Sequence, residues 1–238
     1  MIPKIIHYCW FGNNPIPKKE RRCMQSWQKY ADGYIIKRWD EISFDISKYT
    51  FVREAYAAKK YAFVSDFVRV YALKEYGGVY LDTDVELVRP IDELMDCEMI
   101  SGFECRGIVQ TGLMACVKDS YYINKLYDYY KDRHFVNSAG ELDQTPNSAI
   151  LADILRKDDV VLENTKVIMP NIVLYPSDYF CPINQATWEI KPTNNTYCIH
   201  YLSGSWLPFK ARFLRLCKSV VGRLFGFKMV EYLRKFKM

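Results

Sequence analysis

Two carboxylates one residue apart, Asp82 and Asp84, close an apolar run that begins at a glycine pair, in the stretch Gly77–Gly78–Val79–Tyr80–Leu81–Asp82–Thr83–Asp84–Val85–Glu86. A β-branched and aromatic run between glycines and acids reads as a buried strand. Side chains alternate along a strand, so the two acids are expected to point the same way at its carboxyl end. That is the edge at which open α/β sheets bind ligands. Two carboxylates facing one spot repel unless a positive charge sits between them, and a hard divalent cation with oxygen ligands supplies it. A cation held by two carboxylates keeps open positions that suit the phosphates of a nucleotide. Two readings compete: a solvated turn after a strand, and a covalent nucleophile at Asp82.

Three further constellations could join that chemistry. Asp66 and Arg69 lie three apart in a helical pattern, flanked by Phe63, Val64, Phe67 and Val68, so they share one face. As an exposed ion pair they would matter little; in an apolar context they read as placed for a ligand. His200 closes an apolar strand and precedes the loop Leu202–Ser203–Gly204–Ser205–Trp206. A strand histidine is ordinarily a satisfied core residue, but a neutral imidazole also suits Mn²⁺ as a third ligand. Trp10 stands at the carboxyl end of a first strand, where it either packs in the core or faces a ligand.

The elements that must hold these residues follow from pattern and breakers. Ile5 to Trp10 reads as a strand broken by Gly12–Asn13–Asn14–Pro15, residues 18–30 as a helix, and Gly33 to Trp39 as a second strand. This opening suggests a parallel α/β unit. Phe51 to Glu75 is expected to be helical in two pieces, with Ser65 capping the second and Asp66 in its first turn. Strands are expected at 99–103 and 112–117, then a tyrosine-rich helix from Ser120 to Tyr130. Another helix opens at Pro146, gathering Asp143, Gln144 and Asn147 near its positive N-terminus. Short strands fall within 160–176 and a late one at 197–201.

The 238 residues are half apolar and 16% aromatic with 19 tyrosines, enough for one substantial α/β domain and a surface that stacks on sugars or bases. The eight cysteines are scattered without a CxxC pair and the amino terminus lacks a long apolar stretch, so reduced thiols in a cytoplasmic protein are expected. Charge is unevenly spread. Residues 207–238 hold nine of the 33 basic residues and one of the 28 acids, which leaves 24 and 27 in residues 1–206. A mildly acidic body argues against a nucleic-acid partner. In the tail Phe213, Leu216, Cys217, Val220, Leu224 and Phe227 recur at helical spacing with basic residues opposite. A basic amphipathic helix over 209–238 is expected to lie on an anionic membrane surface, peripheral on the inner face. The organisation expected is a domain over 1–206 followed by that tail.

Together IPKIIHYCWFG at 2–12, KRWDE at 37–41, FVSDFVRVYALKEYGGVYLDTDVE at 63–86 and IHYLSGSW at 199–206 resemble the family-32 glycosyltransferases. These DXD enzymes include capsular-polysaccharide transferases and fungal initiating mannosyltransferases, and are distantly similar to the glucosyltransferase domains of clostridial toxins. The resemblance implies a GT-A fold, a retaining mechanism, Mn²⁺ or Mg²⁺, a nucleotide-sugar donor (UDP-linked) and a glycan or lipid-linked oligosaccharide acceptor. By the same resemblance Trp10 would stack on the base. Asp66 would bond ribose or sugar hydroxyls, and Arg69 the sugar or phosphate. Asp82 would contact ribose and metal, Asp84 and His200 would ligate the metal, and Ser205 and Trp206 would close over the β-phosphate. Tyr80 and Asn147 are counted with the donor-contacting residues, and Asp143 is the carboxylate expected on the back face of the sugar.

A haloacid-dehalogenase-like phosphatase also carries an apolar strand running into Asp-x-Asp, with Asp82 as nucleophile. Its motif usually sits on the first strand, whereas 78 residues precede Val79 here. A non-catalytic sugar-nucleotide binder is the other class, against which the intact Asp82, Asp84 and His200 argue.

Overall fold

The structure, a computed structural model, describes residues 1–184 and 187–204. Its centre is a seven-stranded sheet in the order β2-β1-β3-β6-β5-β8-β7, built from β1 (Ile5–Cys9), β2 (Ile35–Trp39), β3 (Gly78–Leu81), β5 (Met99–Cys105), β6 (Ile108–Cys116), β7 (Val167–Met169) and β8 (Ile172–Tyr175). β4 (Val85–Leu87) and β9 (Cys198–His200) form a separate antiparallel ribbon. β1 pairs in parallel with β2 and β3, while β6 runs against both β3 and β5. It follows that β1, β3 and β5 share a direction and deliver their carboxyl ends to one edge.

Alternation sorts the side chains into two cores. Val79 and Leu81 pack with Ile6, Leu113 and Ala115 against Trp27 of α1 (Lys18–Tyr30). Tyr80 packs with Cys9, Met114 and Phe103 under the helices α2 (Thr50–Ala57), α3 (Tyr61–Tyr76), α4 (Tyr121–Tyr130) and α5 (Asn147–Lys157). With both faces covered, β3 has to be apolar throughout, as its sequence is. The Trp27 indole N–H donates to the Val85 carbonyl at 2.8 Å, pinning the ribbon to α1.

The glycine pair before β3 answers to geometry. Gly77 ends α3 at φ 63° and Gly78 follows at φ 99°, where a Cβ would come within 2.6 Å of the Ile5 carbonyl oxygen. Any side chain there would force β3 away from β1.

Two expectations are corrected. Ser65 does not start a helix. It lies inside α3, where its hydroxyl donates to the Tyr61 carbonyl one turn back at 3.1 Å. The break lies at Ala58–Lys60: Lys60 N–H bonds the Ala55 carbonyl and Lys59 N–H the Tyr56 carbonyl, with Lys59 at φ 57°. This is a Schellman end whose left-handed position holds a lysine in place of the usual glycine. Asp66 therefore stands in the second turn of α3, within a helix buried on nearly every side. The second correction is β4: the sequence pattern places no strand between the acids and Met99, yet Val85–Leu87 pairs with β9. Among the described residues no helix is long and apolar enough to cross a membrane, and the seven described cysteines are free. The predicted tail over 207–238 lies outside the described residues.

Candidate active site

The two acids sit just past β3. Asp82 N–H extends the ladder to the Gly112 carbonyl at 2.8 Å, and Val85 N–H closes a turn on the Asp82 carbonyl at 2.9 Å. It is this turn, more than strand alternation, that brings the carboxylates together. The ribbon supplies the third group by pairing Val85 with His200. His200 Nε2 then lies 3.4 Å from Asp84 Oδ1 and 3.8 Å from Asp82 Oδ2. One ligand atom from each of the three residues falls within 4.8 Å of the others. An octahedral ion with ligands at about 2.1 Å sets neighbouring ligand atoms about 3 Å apart, so a small inward movement completes a face of such a shell. Two carboxylates and an imidazole form a donor set suited to Mn²⁺ or Mg²⁺.

The electrostatics agree. Burial would push the His200 imidazole down, but Asp84, and after it Asp82 and Glu104, outweigh that and hold it at about 9. Burial likewise opposes charge on Asp84, yet His200 and the Ser203 N–H, 2.7 Å from Oδ2, keep its carboxyl well below the ordinary range. His200 Nδ1 is buried without a hydrogen-bond partner among the described residues. The imidazole is thus held by the acids alone.

Arg69 braces the acids from α3. Its Nη2 reaches Asp66 Oδ1 and Asp82 Oδ1, each at 3.1 Å, and its Nη1 donates to the Thr111 carbonyl at 2.8 Å and hydroxyl at 3.1 Å. The guanidinium lies over the Tyr80 ring, 4.6 Å from its centroid, and the Tyr80 hydroxyl donates to Asp82 Oδ1 at 3.0 Å. Tyr80 is almost wholly buried, so its contribution is to orient Asp82. Burial lifts the Asp66 carboxyl to about 6 against the pull of Arg69. Asn147, at the start of α5, donates from Nδ2 to the Asp66 carbonyl at 2.9 Å and accepts the Tyr130 hydroxyl on Oδ1.

A cavity of about 780 Å³ opens over these groups and is lined by Trp10, Tyr61, Asp66, Arg69, Asp82, Asp84, Asn147 and His200, among others. That volume lies within the range of small-ligand sites. Trp10 forms its wall on the β1 side, with the indole N–H donating to the Asn14 carbonyl at 2.6 Å. Asp143 does not join them. Its Oδ1 accepts from the Thr145 N–H at 3.2 Å and hydroxyl at 2.7 Å, and its Oδ2 lies 3.4 Å from Arg133 Nε. It is not among the residues lining the cavity. The back-face role expected of Asp143 is therefore not supported by its position: a neighbouring arginine and a local turn hold the carboxylate. Ser205 and Trp206 lie outside the described residues.

Sequence reasoning missed Thr111, Ser203 and Gly112. Gly112 abuts the imidazole, since a Cβ there would stand 2.4 Å from His200 Cε1. The strand pattern around it gave no sign that a ring three strands later in sequence would pack on it.

Residues 17–100 match the family described as a glycosyltransferase sugar-binding region containing a DXD motif. That span covers α1 through the acids. An uncharacterized glycosyltransferase, L373, of Acanthamoeba polyphaga mimivirus is 27% identical over 233 residues, covering 92% of this chain and 87% of that protein. Inositol phosphoceramide mannosyltransferase 3 of Schizosaccharomyces pombe is 35% identical over 98 residues, 40% of this chain and 27% of that protein. A glycosyltransferase involved in glycosylating the major capsid of PBCV-1 superposes with a TM-score of 0.50 at 11% identity, covering 93% of this chain and all of that one. On the family match, the relatives and the sheet described above, the chain is a glycosyltransferase of GT-A architecture with a DXD-containing sugar-binding region.

Proposed function

We propose that the chain is a metal-dependent, retaining hexosyltransferase that moves a sugar from a nucleotide donor, UDP-linked, to a glycan acceptor. The observation that carries this reading is the convergence of Asp82, Asp84 and His200 on one point beneath a cavity of nucleotide-sugar size. Asp82, Asp84 and His200 would hold Mn²⁺ or Mg²⁺, which when bound supplies positive charge for the leaving diphosphate. Trp10 offers an indole face to the base. Arg69 keeps Asp82 and Asp66 in register and places a fixed positive charge beside the diphosphate, where it strengthens as negative charge develops. Retention is carried over from the family resemblance. With Asp143 turned to Arg133, same-face attack is favoured over a double displacement, the leaving phosphate taking the acceptor's proton.

A phosphatase fits less well, because Asp82 acting as a nucleophile would leave Trp10, Asp66 and His200, which line the same cavity, without a role. A non-catalytic binder differs from a transferase only in turnover. The test is donor hydrolysis by the purified chain across a panel of UDP-, GDP- and dTDP-sugars. Turnover with one donor that requires Mn²⁺ and vanishes in EDTA supports the proposal. Tight nucleotide binding without turnover by any donor sinks it, and hydrolysis of small phosphate esters through a phosphorylated Asp82 replaces it with the phosphatase.

The acceptor class we propose is a growing capsular or exopolysaccharide chain or a lipid-linked oligosaccharide, reached from the cytoplasmic face with the basic segment 209–238 on anionic lipid. Sedimentation with phosphatidylglycerol vesicles reads this directly. If removal of 209–238 leaves co-sedimentation unchanged, the membrane role is abandoned.

A further inference from the structure

Trp10, Asp82 and Glu104 leave the same edge of the sheet, because β1, β3 and β5 run in one direction. In the order β1-β3-β6-β5 the acids have Trp10 on one side and Glu104 on the other. Two strand spacings, about 10 Å, separate Glu104 from the β3 line. The β5–β6 register slips between Phe103 and Cys105, so Glu104 is the extra residue of a bulge. Bulges at a sheet rim re-aim a side chain. Glu104 lines the cavity and acts electrostatically on His200.

A second feature lines the same cavity. Residues 182–184 and 187–191 pair through an Ile183–Ile190 bridge and a Lys191 N–H bond to the Pro182 carbonyl at 2.7 Å. Trp188 has φ 56°, a conformation that bulky side chains rarely adopt. Its half-buried ring is part of the cavity wall, as is Ile108, which is 40% exposed. An indole, an aliphatic side chain and a carboxylate together match a pyranose, which has an apolar C–H face and a rim of hydroxyl donors.

Resting on the transferase reading above, we propose that Trp188, Ile108 and Glu104 form the subsite for the terminal sugar of the acceptor, and that this sugar is a neutral pyranose. Trp188 stacks on the ring, and Glu104 accepts bonds from its hydroxyls. The Glu104 charge repels a uronic acid or phosphorylated sugar at the same place.

Saturation-transfer NMR with the full chain, Mg²⁺ and UDP tests this without turnover. The probes are the methyl glycosides of glucose, galactose and mannose, beside methyl glucuronide and methyl galacturonide. The expected result is saturation of at least one neutral glycoside and weaker saturation of the uronides. Trp188→Ala is expected to lower the neutral signal at least fivefold, Trp188→Phe to retain most of it, and Glu104→Gln to narrow the gap between neutral and acidic probes. Donor hydrolysis by the parent and thermal unfolding of Trp188→Ala are measured alongside, and the variant should unfold at the parent's temperature. No neutral signal from the parent chain, an unchanged signal from Trp188→Ala, or a preference for uronides overturns the subsite. Loss of donor hydrolysis by the parent itself counts instead against the transferase reading.

Discussion

His7 and His200 are both buried strand histidines, and they are held in opposite states. His7, in β1, is fully enclosed. The Trp39 indole can only donate, so at 3.1 Å His7 Nδ1 must accept, leaving Nε2 to donate to the Gly77 carbonyl at 2.9 Å. Burial pushes this imidazole down to about 4; the Gly77 carbonyl opposes that only in part, and Lys37 adds to it. His200 is buried to nearly the same degree but faces two carboxylates, which hold it up at about 9. Enclosure therefore does not distinguish a structural histidine from a functional one. What distinguishes them is charge left over nearby. Among the described residues Asp66 and Asp82 share one guanidinium, that of Arg69, and Asp84 faces His200, so the three acids carry two negative charges beyond that of Arg69, which a protonated His200 offsets only in part. A divalent ion with His200 neutral balances them in full.

The contrast can be broken most forcefully at Asp84. Asp84→Asn removes a ligand and the chief support of the His200 charge, and donor turnover is expected to fall about a thousandfold, the scale of losing a principal electrostatic stabiliser. Steady-state hydrolysis at saturating Mn²⁺ reads it, and a loss below tenfold would remove Asp84 from the metal shell. The next effect belongs to His7. Its depressed value means the unfolded chain binds a proton that the folded one refuses, so the stability it contributes is complete above about 6.5 and drains away as pH falls toward 4. The full loss is up to about 3 kcal/mol. Urea unfolding at pH 7.5 and pH 4.5 measures it against His7→Gln, whose slope with pH should be shallower by that amount. An equal slope in both chains would mean His7 is not held neutral.

Gly112 sharpens the comparison from the other side. Gly112→Ala drives a methyl into the His200 ring, and Mn²⁺ affinity is expected to drop ten- to a hundredfold, as for other changes that misorient a ligand. Mn²⁺ titration followed by electron paramagnetic resonance checks it; unaltered affinity would show that the ring has room to move. The smallest effect is expected at Asp143. Bound to Thr145 and Arg133, it should tolerate Asp143→Asn with less than a threefold change in donor turnover and a stability loss of about 1 kcal/mol. A hundredfold fall in turnover would return it to the back face of the sugar.

Much of this was legible from residues alone, for identifiable reasons. The Asp82–Asp84 pair announced itself because glycines, apolar run and acids agree on one strand end, and α1 was bounded correctly because the Gly12–Pro15 breaker and the tyrosine-ended helical pattern frame it. The Asp66–Arg69 pair was visible because charge within an apolar helix has few other uses. The α2–α3 break was misplaced because a left-handed lysine at position 59 carries no compositional mark. β4 was missed because three residues paired only to a distant strand have no period to read. The pairing of Asp143 with Arg133 was not legible, because Arg133 follows a turn that sequence does not orient.

The ribbon of β4 and β9 has a consequence for biosynthesis. A nascent chain that has emerged only through β8 already possesses the strands and both acids of the site, yet it lacks the imidazole, which arrives with β9. Competence to capture the ion should therefore come late in translation. A chain ending before Cys198 is expected to bind Mn²⁺ at least tenfold more weakly than the full one, and equal binding would show that the carboxylates suffice.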